Sequence, residues 1–341
     1  MQRFSHDIAT SRRCPEFAEI SRHLLKENLE QVCLVNVQAC ILIAEYAGAQ
    51  ADRNAECLYF TIAARMAQML HLDQDPAEGD QSHRETCRRV WWSCYMVDIW
   101  SSAGLGLARQ LADHATTRLP MLEHDFQAVN AEDSDVLCKT SLGFWAYMVK
   151  LVKIFAHVQT LHQVLLSPGH DDMYILNLTK RAAEAFEQYQ AELPSDMAFN
   201  QTNLDKYRKS NTARIFIALH LGYNHYATLL YFHHLDKRRS FSSIDKLFAD
   251  RCKAHAAELS DIIKISMEQT GCEAYFHIVG HMTIISSSVL LHTLLFGSEE
   301  ELADARERLR INFLKLIDLS KYWPGIGRIV SLRLSIFPSD D

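Results

Sequence analysis

Apolar residues recur at helical spacing along nearly the whole chain. Residues 16–46 and 53–70 carry them at intervals of three and four. This pattern predicts two amphipathic helices, the first ending near Gly48 and the second before the polar run DQDPAEGD. A third helix is predicted over 81–101, with Gly104 and Gly106 as its terminators, and a polar loop then runs to about Asp135. Further helices are expected over 136–166, 171–191, 210–235, 244–269, 272–296 and 299–319, separated by short polar or Pro/Gly breaks. No segment alternates with the period of two that a half-buried strand needs, and neither a fixed repeat nor a low-complexity tract occurs. The expectation is an all-α protein without significant sheet: a single large array of about nine or more helices over residues 1–341. Two fused helical layers are the other way to bury so long a chain.

Composition agrees with helices. Glycine and proline number 12 and 7 among 341 residues, about half their usual share. The net charge of −7 implies no broad basic surface for neutralising phosphates, so this chain by itself is not expected to grip DNA. Nine cysteines, odd in number and scattered through apolar stretches, suit reduced thiols, and no disulfides are expected. The opening segment MQRFSHDIATSRRCPEF lacks an apolar signal core, which predicts an intracellular protein. The run IVGHMTIISSSVLLHTLLF at 278–296 is long enough to span a bilayer. It holds His281, His292 and three consecutive serines, however, and reads as a buried helix, so no membrane partner is expected.

The helix over 81–101 has the most distinctive surface. At about 100° per residue, Trp91, Tyr95 and Asp98 share one face; Trp92, Met96 and Ile99 adjoin it, and Val90, Cys94 and Val97 cover the other side. A helix that is apolar nearly all round belongs inside a bundle. Asp98 then needs a cation or several donors. Arg65, in AARMAQMLHL, is the candidate partner because it sits in a closely packing helical context and can bond a carboxylate in parallel. The alternative is an exposed Asp98 near the helix end. Arg88 and Arg89 are expected to enter from the polar side.

The succession AARMAQMLHLDQD, ETCRRVWWSCYMVDIWSS, GLARQLADH and LP resembles the fungal-specific transcription factor domain, the middle regulatory region of six-cysteine binuclear zinc-cluster regulators. The match is best over residues 55–120 and rests on Arg65, Arg88, Arg89, Trp91, Trp92, Tyr95, Asp98 and Gly106. IALHLGYNHYATLLYFHHL resembles an aromatic helix of that family's C-terminal half more loosely. The sequence departs from the family pattern at His71, where glycine is usual, at Asp73, where histidine is frequent, and at Gly106-Leu107-Ala108, which replaces Gly-Arg-Pro. It contains no Cys-x-x-Cys pair, so the zinc module that reads DNA is absent from this chain. No cofactor is expected in it, with zinc entering only through a six-cysteine cluster encoded upstream.

The resemblance implies a regulatory and dimerisation domain in the nucleus, with the cytoplasm also admitted. It would control a metabolic or secondary-metabolite gene set as a homodimer or with transcriptional co-regulators, contacting DNA only through a module outside this chain. Nothing marks an enzyme: there is no nucleophile elbow or phosphate loop, and GLGLA at 104–108 follows no strand. His277 and His281 lie one turn apart but lack the glutamate of a zinc-protease helix, and two ligands are not a metal site. Cys33 and Cys40, like Cys87 and Cys94, are seven apart, about 10 Å along a helix, too far to share a metal or a disulfide.

His220, Asn224, Thr228 and Tyr231 form a polar stripe that fits an internal network, a solvated face or an effector pocket for a small molecule. The basic clusters at 11–13 and 236–240 are too short to tell an import signal from ordinary surface. A DNA-independent ligand-binding or scaffold protein derived from the same fold is the alternative to a transcription regulator. A metal enzyme built on the histidines would require bound metal.

Overall fold

The computed structural model describes residues 14–113, 115–128, 142–167, 169, 171–236 and 243–327. The described residues are helical almost throughout and contain no strand, only an isolated antiparallel bridge between Met121 and Leu142. The chain forms two compact units, residues 1–149 and 150–341.

The first unit contains α1 (Cys14–Glu27), α2 (Leu34–Ala49), α3 (Arg53–Met69), α4 (Gln81–Leu105), α5 (Glu123–Ala128) and the start of α6 (Phe144–Leu166). Helix α2 packs along α3, and both meet α4. Small side chains allow this: Cys40, Ala44 and Ala47 on α2 and Ala63, Ala64 and Ala67 on α3 are fully or almost fully buried, letting the two backbones approach closely.

The single helix expected over 16–46 is two helices. Its ladder stops after Glu27, where the Asn36 side chain reaches back to donate to the carbonyls of Asn28 (3.0 Å) and Gln31 (2.8 Å). Orphan carbonyls at the break are thereby satisfied. Asp52 caps α3 through the Ala55 N–H, and Asp80 caps α4 through the His83 N–H. Helix α4 runs past Gly104 and ends at Gly106, which adopts φ +66°. A Cβ there would meet nothing, so glycine is required for its left-handed conformation rather than for space.

The second unit holds the rest of α6, then α7 (Asp172–Glu192), α8 (Gln201–Lys209), α9 (Ala213–Tyr231), α10 (Ser243–Glu268), α11 (Ile278–Phe296) and α12 (Glu299–Ser320). Two short 3₁₀ turns, Ser195–Met197 and Phe232–Leu235, lie between them. Helix α9 is buried on nearly every side and packs against α7, α8, α10 and α11. The long apolar α11 is long and apolar enough to cross a bilayer by length and composition, and half of it is buried within the unit. Its serines serve packing: Ser286 bonds the Ala256 carbonyl (2.8 Å) and Ser260 (2.9 Å), while Asn312 of α12 donates to Ser286 and Ser287. A buried polar seam therefore joins α10, α11 and α12. The segments expected at 136–141 and the basic clusters at 11–13 and 237–240 lie outside the described residues.

Candidate functional site

Helix α4 holds a loop against its own flank. Glu85, Arg88, Arg89, Trp92, Tyr95 and Asp98 follow one another at intervals of one or three residues, which keeps their polar ends along one side. The described residues between 106 and 123 run back along that side, because rising loop numbers meet falling helix numbers. At the far end, Asp98 is buried and accepts the backbone N–H groups of Gln110 (2.9 Å) and Leu111 (3.0 Å), with the Arg109 Nε at 3.7 Å. One turn earlier, the Tyr95 hydroxyl donates to Asp113 (2.6 Å), which Arg109 also grips while its guanidinium lies over the Tyr95 ring. Burial and the facing Asp113 carboxylate push the Tyr95 hydroxyl pKa up.

Next, the Trp92 Nε1–H donates to the Arg118 carbonyl at 2.8 Å. Arg89 reaches furthest along the loop, to Glu123 (2.7 Å) and the Met121 carbonyl (3.1 Å), over the Phe126 ring, and it also holds Glu85 (2.9 Å). Glu85 accepts the Met121 N–H in turn.

Arg88 is buried and bonds Asp75 through two nitrogens, at 2.8 and 3.2 Å. Asp75 also takes the Arg118 side chain, the Arg118 N–H and the Thr117 hydroxyl. Its partial burial opposes ionisation, but these donors and two guanidinium charges outweigh that and hold its carboxyl well below the usual range.

The partner expected for Asp98 is therefore corrected. Arg65 stands on the exposed face of α3, with no ion pair among the described residues. The carboxylate is instead satisfied by loop amides and Arg109, because Gly106 turns the chain back over the helix end. Arg88, Arg89, Trp92, Tyr95 and Asp98 do come together as one clamp. None of their partners was foreseen: Glu85 carries a helical-spacing signal, three and four residues before the two arginines, that the sequence reading missed, while Asp75, Arg109, Asp113 and Arg118 lie in loops without periodic signal.

The adjacent tryptophans differ. Trp92 is anchored on the loop, whereas the Trp91 Nε1–H is buried and finds no acceptor. Trp91 lines a cup of about 250 Å³ together with Arg65, Gln68, His71, Asp73, Ala112 and Ala115. A second cavity of about 200 Å³ is lined by Glu85, Arg88, Arg118, Leu119, Pro120, Met121 and Leu142.

In the second unit, the stripe on α9 is a bonded network. His220 Nε2 lies 3.0 Å from the Met197 carbonyl, Asn224 donates to the His220 carbonyl and faces His255 at 2.9 Å, Thr228 donates to the Asn224 carbonyl, and Tyr231 meets Arg251 at 3.3 Å. All four stripe residues are buried, and they line neither cavity above. His281 packs edge-on to His225, and His277 lies against Trp323. Among the described residues no group of three or more His, Cys, Asp or Glu side chains could hold a metal ion.

Comparison with known proteins gives this architecture a context. The sequence profile described as "Fungal specific transcription factor domain" matches residues 9–209, more than half of the chain. A Zn(2)-C6 fungal-type transcription factor of Fusarium oxysporum f. sp. lycopersici, FTF1c, is 20% identical over 94% of this chain and 39% of its own length. A second from the same organism, FTF2, is 21% identical over 91% of this chain and 32% of its own. A transcriptional regulatory protein of Schizosaccharomyces pombe is 23% identical over 84% of this chain and 36% of its own. The chain thus spans less than two fifths of the length of these relatives. No solved structure matches it.

Proposed function

The chain belongs to the family of fungal specific transcription factor domains, and on that premise we propose that it is the regulatory and dimerisation region of a transcription regulator. Residues 1–341, both helical units together, form this region. It catalyses no reaction. It receives a signal from a small molecule or a co-regulator in the nucleus and passes it to a DNA-bound assembly controlling a metabolic or secondary-metabolite gene set. One observation carries the reading: relatives named as Zn(2)-C6 transcription factors align with almost the whole chain while extending far beyond it. An all-helical region of a larger regulator fits that relation. The α4 clamp gives such a region a rigid frame, since its loop is fixed by side chains rather than left to move.

Fusion to an unrelated DNA-binding domain tests the proposal. The fusion is expected to change reporter output several-fold in a fungal host; a well-expressed nuclear fusion with unchanged output overturns it. A second reading is a DNA-independent ligand-binding or scaffold protein derived from the same fold. Mapping the 5′ end of the transcript separates the two: an in-frame six-cysteine cluster upstream supports the regulator, and a transcript starting at Met1 supports the alternative.

A further inference from the structure

We propose that two copies of this chain associate through the uncovered face of α11, paired antiparallel about a two-fold axis. Helix α11 carries no Asp, Glu, Lys or Arg. Its buried residues share one side, turned to α9, α10 and α12. The opposite side carries Ile278, Ile285 and His292 alternating with His281, Ser288 and Leu295, at steps of three and four. All six are exposed or half-buried, Leu295 the most open at 73%. A surface helix normally turns charge to water on that side, and a charge-free apolar face marks a contact surface.

Three observations select a second copy as the occupant. The first is symmetry. Steps of three and four make the seam of a helix pair, and reversing one helix exchanges the two kinds of seam position. Laid against a reversed copy, the stripe matches Ile278 with the partner's Leu295, His281 with the partner's His292 and Ile285 with the partner's Ser288. Apolar ends meet apolar ends, and the small serine receives the bulk of isoleucine. Imidazole meets imidazole, and a neutral imidazole offers one donor and one acceptor nitrogen, so the two can bond each other. The same pattern is read from either end, as an isologous contact requires.

The second observation is charge. The chain carries −7 overall, so two copies repel wherever carboxylates face each other. On the α11 face no like charges are brought together and none is stripped of water.

The third is area. Helix α12 runs antiparallel beside α11, with Asn312 bonded to Ser286 and Ser287 and with Ala305 and Leu309 packed on Leu290. Beyond that seam α12 exposes Phe313 and Ile317, which widen the apolar face. Two helices, each about 28 Å long and about 10 Å wide, present roughly 600 Å² per copy. A two-fold contact then buries about 1,200 Å², the lower limit of a stable interface.

The inference gives the dimerisation part of the regulatory reading a surface, and it rests on that reading only for its biological use. Sedimentation equilibrium of the purified chain across the micromolar range tests it, and a concentration-dependent rise from one chain mass to two is expected. Leu295→Lys is expected to weaken the dimer at least tenfold. Leu295 is largely exposed, so the melting temperature of the dilute protein should stay unchanged. Two double variants check the register. His281→Glu with His292→Lys places opposite charges across the axis and is expected to dimerise at least tenfold more tightly than His281→Lys with His292→Lys.

A monomer at every concentration overturns the proposal. So does a dimer that ignores Leu295→Lys, or one equally strong in both double variants. A monomer that sediments with phosphatidylcholine vesicles overturns it as well and assigns the face to a lipid surface. The measurement contains no DNA and no reporter, so its failure and failure of the transcriptional reading are separate results.

Discussion

Asp98 accepts the backbone N–H of Leu111 at 3.0 Å, thirteen residues further along the chain, and both residues are buried. The same carboxylate takes the Gln110 N–H, so one side chain on α4 closes the entire turn that Gly106 opens. A carboxylate replacing water at two amides resembles a helix cap applied to a loop.

Asp98→Ala should therefore be costly, because it strands two loop N–H groups, at about 1–3 kcal/mol for each buried unsatisfied group. A loss of roughly 2–4 kcal/mol is expected from urea unfolding of the variant. Arg65→Ala, on an exposed face, should stay within about 0.5 kcal/mol. The double variant should lose the sum of the two; a coupling above about 0.5 kcal/mol would show that Arg65 and Asp98 interact after all.

Trp91→Phe and Trp92→Phe remove the same atoms from neighbouring buried positions, yet only Trp92 gives up a hydrogen bond, to Arg118. The Trp92 variant should be the less stable of the two by about 1–2 kcal/mol, the cost of a lost bond and a stranded carbonyl. Equal losses in thermal unfolding would mean that packing alone governs both sites.

Much of this fold could be read from apolar spacing, and the exceptions share a physical cause. Helices α3 and α12 were expected over 53–70 and 299–319 and are found at Arg53–Met69 and Glu299–Ser320. Helix α8, QTNLDKYRK, escaped because only Leu204 and Tyr207 are apolar anchors within its nine residues. The split between α1 and α2 escaped because an asparagine side chain, not glycine or proline, terminates the ladder. Within the clamp, the motif residues were legible and the partner of Asp98 was not. Its main donors are backbone amides, which every residue but proline carries and which therefore leave no trace in composition.

Acid should weaken the second unit in a defined window. Burial lowers the His220 pKa to about 4, against a smaller opposing effect from the Met197 carbonyl. Burial, then His281 and His162, lower His225 to about 3, and burial with Arg251 lowers His255 to about 4. Below the ordinary value of 6.5, the unfolded chain binds these protons and the folded chain does not. The stability is thus complete above pH 6.5 and drains as pH falls towards 4, by up to about 1.4 kcal/mol per pH unit for each histidine. Urea unfolding from pH 7.5 to 4.5 should show this slope, and His225→Phe should reduce it. Asp75 lies outside this window: its lowered pKa sustains stability that is fully present above the unfolded-state value and is lost only at stronger acid. A flat profile between 6.5 and 4.5 would contradict the buried, neutral histidines.

Thiol chemistry should divide the cysteines by burial rather than by sequence spacing. Burial pushes the Cys40 pKa up to about 11, and burial, with Cys40 and Asp98 nearby, pushes Cys94 up to about 12. At pH 8 a thiol of pKa 11 is ionised to about one part in a thousand, and the thiolate is the reacting form. Cys252 is fully buried and shifted in the same direction. Cys33 and Cys57 are partly exposed. Brief alkylation of the native protein, read by peptide mass spectrometry, should therefore mark Cys33 and Cys57 first and leave Cys40, Cys94 and Cys252 unmodified until denaturant is added. Early labelling of Cys94 would mean that α4 opens under native conditions. The clamp could not then be the rigid frame of the first unit.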